Sequence, residues 1–168
     1  MKVNLVLGIL EEHGTGLQAL LLRLTLRPDV AEDLMQELFV KLSQSRAFAQ
    51  AIDPGAYARR MAINLAFDWR RAGRRHTQDL GVDLVFSGRS PGEIVAEAEE
   101  VERILEVVEQ LGDLARQAFT LRYIEQEGYE RVGQILGKTA HQARGLCHMA
   151  VQQVRERLAE RQVTHERP

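Results

Sequence analysis

A chain of 168 residues, 45% hydrophobic and 27% charged, has the make-up of one medium or two small globular domains. Cys147 is the only cysteine, which excludes a disulfide framework and suits a reducing cytoplasm. The net charge of −2 excludes a uniformly basic chain, and no apolar run approaches the ~20 residues of a membrane span, so a soluble cytoplasmic protein without membrane insertion is expected.

Sparse aromatic residues and few β-branched clusters point to an all-α fold. In chain order, the apolar spacing from Leu17 to Leu26 predicts a helix, after which Pro28-Asp29 restarts the chain. Asp29 followed by Glu32 reads as a capping-box entry. Val30, Leu34, Met35, Leu38, Phe39 and Leu42 then recur at helical spacing, which leaves Glu32, Asp33, Gln36 and Glu37 as an outward polar stripe. Such a stripe offers a docking face for a basic partner, although surface statistics alone favour a merely solvated face.

The next helix begins behind Asp53-Pro54, where Asp53 caps the first N–H groups and Pro54 supplies the preset φ. At about 100° per residue, Tyr57, Ala58, Met61, Ala62, Leu65 and Trp69 fall on one face, read as the core side. The opposite face is expected to carry Arg59, Arg60, Arg70 and Arg71 with Ile63, Asn64 and Phe67 among them, continuing into Arg74 and Arg75. Guanidinium groups attract a phosphate backbone, and an aromatic floor gives unpaired bases a stacking partner at roughly 1–3 kcal/mol per base. That combination fits single-stranded nucleic acid. Read without its context, the same helix is equally an ordinary amphipathic one with solvated arginines.

From Thr77 to Gly92 helical periodicity stops and Gly, Ser and Pro accumulate, as in a linker. Charge also changes sign: residues 52–76 hold six arginines against Asp53 and Asp68, whereas residues 77–112 hold nine acids against Arg89 and Arg103. A helix is expected over Glu93–Leu111 with Ile94, Val101, Ile104, Leu105 and Val108 inward, then another over Asp113–Ile124. Tyr129–Leu136, a turn at Gly137-Lys138-Thr139 and a helix from Ala140 to about Leu158 resemble a helix-turn-helix. Gly137 suits a left-handed helix end, Thr139 caps the next helix, and Gly133 admits a close neighbour. Thr139, His141, Gln142, Arg144, Gly145 and His148 would face a major groove. The expected division is 1–75, a linker at 76–92, a second domain at 93–162 and a tail at 163–168.

No Gly-rich phosphate loop, Ser-His-Asp set or paired carboxylates stand out, so no catalytic residues and no cofactor are expected. His141, Cys147 and His148 occupy different faces of one helix, so no metal site is expected.

Asp29 to Leu42, Ala62 to Arg71 and Tyr129 to Gly137, in this order and spacing, resemble extracytoplasmic-function sigma factors of the sigma-70 family. The resemblance implies a two-domain helical initiation factor, not an enzyme, that binds core RNA polymerase through the β′ clamp helices and the β flap and directs it to promoter DNA. Glu32, Asp33, Gln36 and Glu37 fall where the family grips the clamp helices. Asn64 and the helix around it fall where the family holds the minus-ten element and captures a flipped base, with the Ser43–Asp53 loop as one wall. His141, Gln142, Arg144 and Gly145 fall on the helix that reads the minus-thirty-five element. An anti-sigma protein is a further partner to test. Ile63 departs from a family position that is usually basic, and Leu146, Met149, Val151 and Gln152 stand where Arg and Lys are common. A stand-alone helix-turn-helix regulator is the alternative reading.

Overall fold

The computed structural model describes residues 2–73 and 91–165, all helix and connecting turns with no strand among them. Two compact units result, Met1–Leu84 and Val85–Pro168. The expected linker falls largely on residues outside those described, but its last two, Pro91 and Gly92, already belong to a helix.

The first unit is built from α1 (Lys2–Thr25), α2 (Pro28–Gln44), the short α3 (Arg46–Ala49) and α4 (Pro54–Gly73). Both α2 and α4 pack on α1 and on each other, and α3 packs on α4. The first helix starts fifteen residues before the position its sequence suggests, because the apolar stripe of Val6, Ile9, Leu17, Leu20, Leu21 and Leu24 is buried throughout. That stripe offsets the ~1 kcal/mol that each of Gly8, Gly14 and Gly16 costs a helix interior. The helix stops where Leu26 turns left-handed (φ 59) and Pro28 holds Arg27 extended.

At the head of α2 the expected capping box is absent. Pro28 already occupies the first helical position, so Arg27 is the cap residue and Asp29 lies inside the first turn. The Asp29 carboxylate instead accepts from Arg27 at 2.8 and 3.3 Å. That pairing, through hydrogen bond and charge, holds its pKa below the ordinary 3.8. Val30, Ala31, Leu34, Leu38 and Leu42 form the buried face, while Met35 and Phe39 are half-buried.

The second unit contains α5 (Pro91–Val108), α6 (Asp113–Phe119), which runs into a π-helical turn (Thr120–Ile124), then α7 (Tyr129–Leu136) and α8 (Ala140–His165). The eighth helix is the centrepiece, packing on α5, α6 and α7. Ala98, Leu105, Val107 and Val108 face inward from α5; Val101, expected there, is 40% exposed, an ordinary position for a lone valine. Arg161 of α8 reaches Glu106 at 2.8 Å, which extends α8 beyond Leu158 along α5. Arg116 is buried and donates to the Leu111 carbonyl at 3.1 Å and to Asp113, pinning the α5–α6 connection.

Candidate nucleic-acid and polymerase interface

On α2, Glu32, Asp33, Gln36 and Glu37 are all exposed, as their spacing requires. Within this stripe Glu37 lies 3.6 Å from Lys41 one turn on. Exposed pairs of that kind stabilise a fold by only a few tenths of a kcal/mol, so the carboxylates stay available to an incoming cation.

At the head of α4, Asp53 Oδ1 accepts from the Ala56 N–H at 2.9 Å and caps the helix. Its buried positions are Ala56, Ala58, Ala62, Ile63, Leu65, Ala66, Phe67 and Arg70. The expected orientation of this helix is therefore corrected in part. Ile63 and Phe67, read as a stacking floor for bases, are each 0% exposed, and burying each stabilises the unit by ~1.5–3 kcal/mol. The arc that bears them faces α1 and α2, where an aromatic ring gains more from packing than from water.

Arg70 is a second correction. It is 6% exposed and donates from Nη1 to the Leu24 carbonyl at 3.2 Å. That carbonyl is among the last four of α1, which have no partner inside their own helix. The guanidinium supplies the missing donor, so this side chain closes a helix and does not stand on the outward face.

Outward from α4, half-buried or exposed, stand Tyr57, then Arg60 and Met61, then Asn64, Asp68 and Arg71 on successive turns. Two of these, Tyr57 and Met61, carry the apolar character assigned in the sequence to Ile63 and Phe67. The signal that would have separated them is width: a continuous apolar arc through Ala56, Ala62, Ile63, Ala66 and Phe67 is wide enough to bury the helix against two neighbours. Tyr57 is fixed from α3, its hydroxyl 3.0 Å from Ser45 Oγ and its ring 5.8 Å from the buried Phe48 ring. Ser45 also caps α3 by accepting from the Phe48 N–H at 3.0 Å. The Arg60 guanidinium lies 6.0 Å from the Tyr57 ring centre, and Arg71 pairs with Asp68. Arg59 is half-buried. Arg74 and Arg75 lie outside the described residues.

In the second unit, Gly137 ends α7 in the left-handed region (φ 67, ψ 37), and the Lys138 N–H donates back to the Gly133 carbonyl at 2.7 Å. A Cβ on Gly133 would meet the Lys138 oxygen at 2.6 Å. The close neighbour foreseen at this glycine is thus the turn itself. Thr139 and Gln142 exchange hydrogen bonds, Gln142 N–H to Thr139 Oγ1 at 3.1 Å and Thr139 N–H to Gln142 Oε1 at 3.0 Å, a reciprocal cap. The Gln142 amide oxygen is therefore engaged at the cap.

Thr139, His141, Gln142, Arg144, Gly145 and His148 are all exposed. They do not form one stripe. Arg144 and His148 share a line along α8 with Arg155, whereas Gln142 and Gly145 line an open cleft of about 320 Å³ with Leu114, Lys138, Leu146 and Met149. One edge of α8 is basic and the other apolar. Cys147 lies between, in the core, its thiol 3.7 Å from the Ala118 carbonyl and pushed up in pKa by burial.

Beside the basic edge, the Arg122 and Arg144 guanidiniums lie 4.3 and 5.2 Å from the centre of the Tyr129 ring. Arg122 also donates to the Glu127 carbonyl at 3.0 Å. Each such cation–ring contact contributes ~0.5–1 kcal/mol at an exposed site. Burial raises the Tyr123 pKa, as does the nearby Tyr129, while Arg122 and Arg155 act in the opposite sense. Neither Arg122 nor Tyr129 is marked out by helical periodicity.

Residues 9–76 match the family model of sigma-70 region 2. The matched residues lie within the first unit. The match runs from within α1 through α4 and so contains both the acidic stripe of α2 and the outward stripe of α4. It supports a sigma-70 family reading of this part of the chain. The second unit lies outside the matched residues, and no curated protein matches the chain. Among the described residues, no helix is long and apolar enough to cross a membrane.

Proposed function

We propose that the chain is an extracytoplasmic-function sigma factor that recruits core RNA polymerase in the cytoplasm, directs it to promoters and promotes duplex opening, catalysing nothing itself. The observation that carries this reading is the region 2 match over a unit with two separate outward stripes, one acidic and one of mixed basic, aromatic and amide character.

Glu32, Asp33, Gln36 and Glu37 dock on basic positions of the β′ clamp helices. The α4 stripe receives the minus-ten element: Arg60 and Arg71 attract its phosphates, and Asn64 lies beside Tyr57 and Met61 to hold an extruded base by hydrogen bonding and apolar contact. Extrusion costs a few kcal/mol of stacking and pairing, which these contacts offset in the open complex. The second unit acts as region 4, its α7–turn–α8 pair contacting duplex minus-thirty-five DNA through His141, Arg144 and His148 and lying near the β flap. An anti-sigma protein that covers either stripe would silence the factor.

Co-elution of the purified chain with core RNA polymerase of its own organism tests this reading. A stable complex that gains promoter-specific binding supports it. Failure of well-folded protein to bind the polymerase, with retained binding to duplex DNA, would establish a stand-alone regulator instead.

A further inference from the structure

Two guanidiniums meet at one ring in the second unit. Arg122 projects from the π-helical turn, Tyr129 opens α7 and Arg144 lies on the basic edge of α8, so three separate elements converge on one point. Like charges brought together repel unless something offsets them, and among the described residues no carboxylate pairs with either arginine. The Tyr129 ring and one backbone carbonyl hold them instead. A π-helical turn is itself an uncommon local structure, found mostly as single turns and frequently at functional sites. Here it sets Arg122 beside α7.

We propose that Arg122 and Arg144 form a seat for one backbone phosphate of duplex DNA, with Tyr129 as the residue that positions both. This rests on the reading of the second unit as a DNA-binding one, and adds to it Arg122, which lies outside the row of residues facing the groove, as the partner of Arg144 from that row. An arginine held against a ring has already lost part of the side-chain freedom that binding would otherwise remove. Each guanidinium presents a fork of N–H donors suited to a phosphate's oxygens. The seat is blind to sequence; it fixes the register of α8 on the duplex, and the neighbouring His148 and His141 then read bases.

The full chain is titrated against a fluorescent mixed-sequence duplex DNA over about 50 to 200 mM salt. Each neutralised phosphate steepens the dependence of log K on log salt by about 0.9, so loss of one contact removes a ~3.5-fold change in affinity across that range. R122Q/R144A is expected to flatten the slope by about 0.9. Y129L should flatten it in the same direction, and Y129F, which keeps the ring, should behave as wild type. Thermal midpoints are recorded for every variant; if Y129L does not fold, the double arginine variant and Y129F decide. A wild-type slope in R122Q/R144A, or a Y129F slope as flat as that of the arginine variant, would overturn the seat. So would absence of duplex binding by the wild-type chain at the lowest salt. Polymerase co-elution is measured separately, so loss of the seat and loss of the sigma reading are told apart.

Discussion

The Arg70 guanidinium, near the end of α4, donates to the Leu24 carbonyl at the end of α1 across 3.2 Å. A charged donor thus completes the hydrogen bonding of one helix from another, inside the core of the first unit. Removing it leaves a buried carbonyl without that donor. Arg70→Ala is expected to destabilise the first unit by ~2 kcal/mol, read as a lower melting temperature. Arg71→Ala, at an exposed position, should change stability by no more than ~0.5 kcal/mol.

The acidic stripe of α2 is tested apart from stability. Asp33→Ala with Glu37→Ala should leave the melting temperature within a degree or two of wild type, because both side chains are exposed. Competition with wild-type protein for core polymerase should then be lost. Undiminished competition would mean that the stripe is only solvated.

Arg60→Ala with Asn64→Ala is expected to do the reverse. Polymerase binding should persist while the yield of open promoter complexes, read by permanganate reactivity of unpaired thymines, falls at least about tenfold, the equivalent of ~1.4 kcal/mol. Loss of polymerase binding in this variant would mean the α4 stripe is misassigned.

Cys147 gives a pH dependence whose sign is fixed by its raised pKa. The folded protein favours the neutral thiol, so the stabilisation is fully present below the unfolded value near 9.0 and declines as pH rises beyond it. Stability measured by denaturant should fall more steeply above that pH in wild type than in Cys147→Ala. In the native state a thiol reagent should label Cys147 only as fast as the unit opens.

The two glycines of the α7–α8 region should respond oppositely to alanine. Gly133→Ala drives a Cβ to within 2.6 Å of the Lys138 oxygen and is expected to cost ~1–3 kcal/mol. Gly145→Ala, in an exposed helical position with no atom within 4 Å of the new Cβ, should stabilise by ~0.5–1 kcal/mol. Thermal unfolding of the two variants checks both signs at once.

Much of the helical order was legible in the sequence because punctuation and period agree. Tyr129–Leu136 is bounded by glycines and Asp53-Pro54 by a cap, and both fall where their sequence places them. The facing of α4 was less legible. Its apolar residues encircle well over half the helix, so periodicity alone does not say which arc meets the core, and an arginine at 70 reads as surface until its carbonyl partner is known. Asp29 shows a different ambiguity: a capping residue and a first-turn acid look alike when a proline precedes them. The ring shared by Arg122 and Arg144 was hidden for a third reason, since it joins residues 7 and 15 positions from Tyr129 across a π-helical turn that no periodic pattern announces.

The mount of α8 joins a left-handed glycine, a carbonyl closed over Gly133 and a reciprocal cap between Thr139 and Gln142. None of these parts is a residue on the exposed basic edge. The surface that meets the outside world can therefore change side chain by side chain while the helix that carries it stays where it is. On the proposed reading of this unit, its DNA preference is free to drift at little risk to folding, by a few substitutions on one helix.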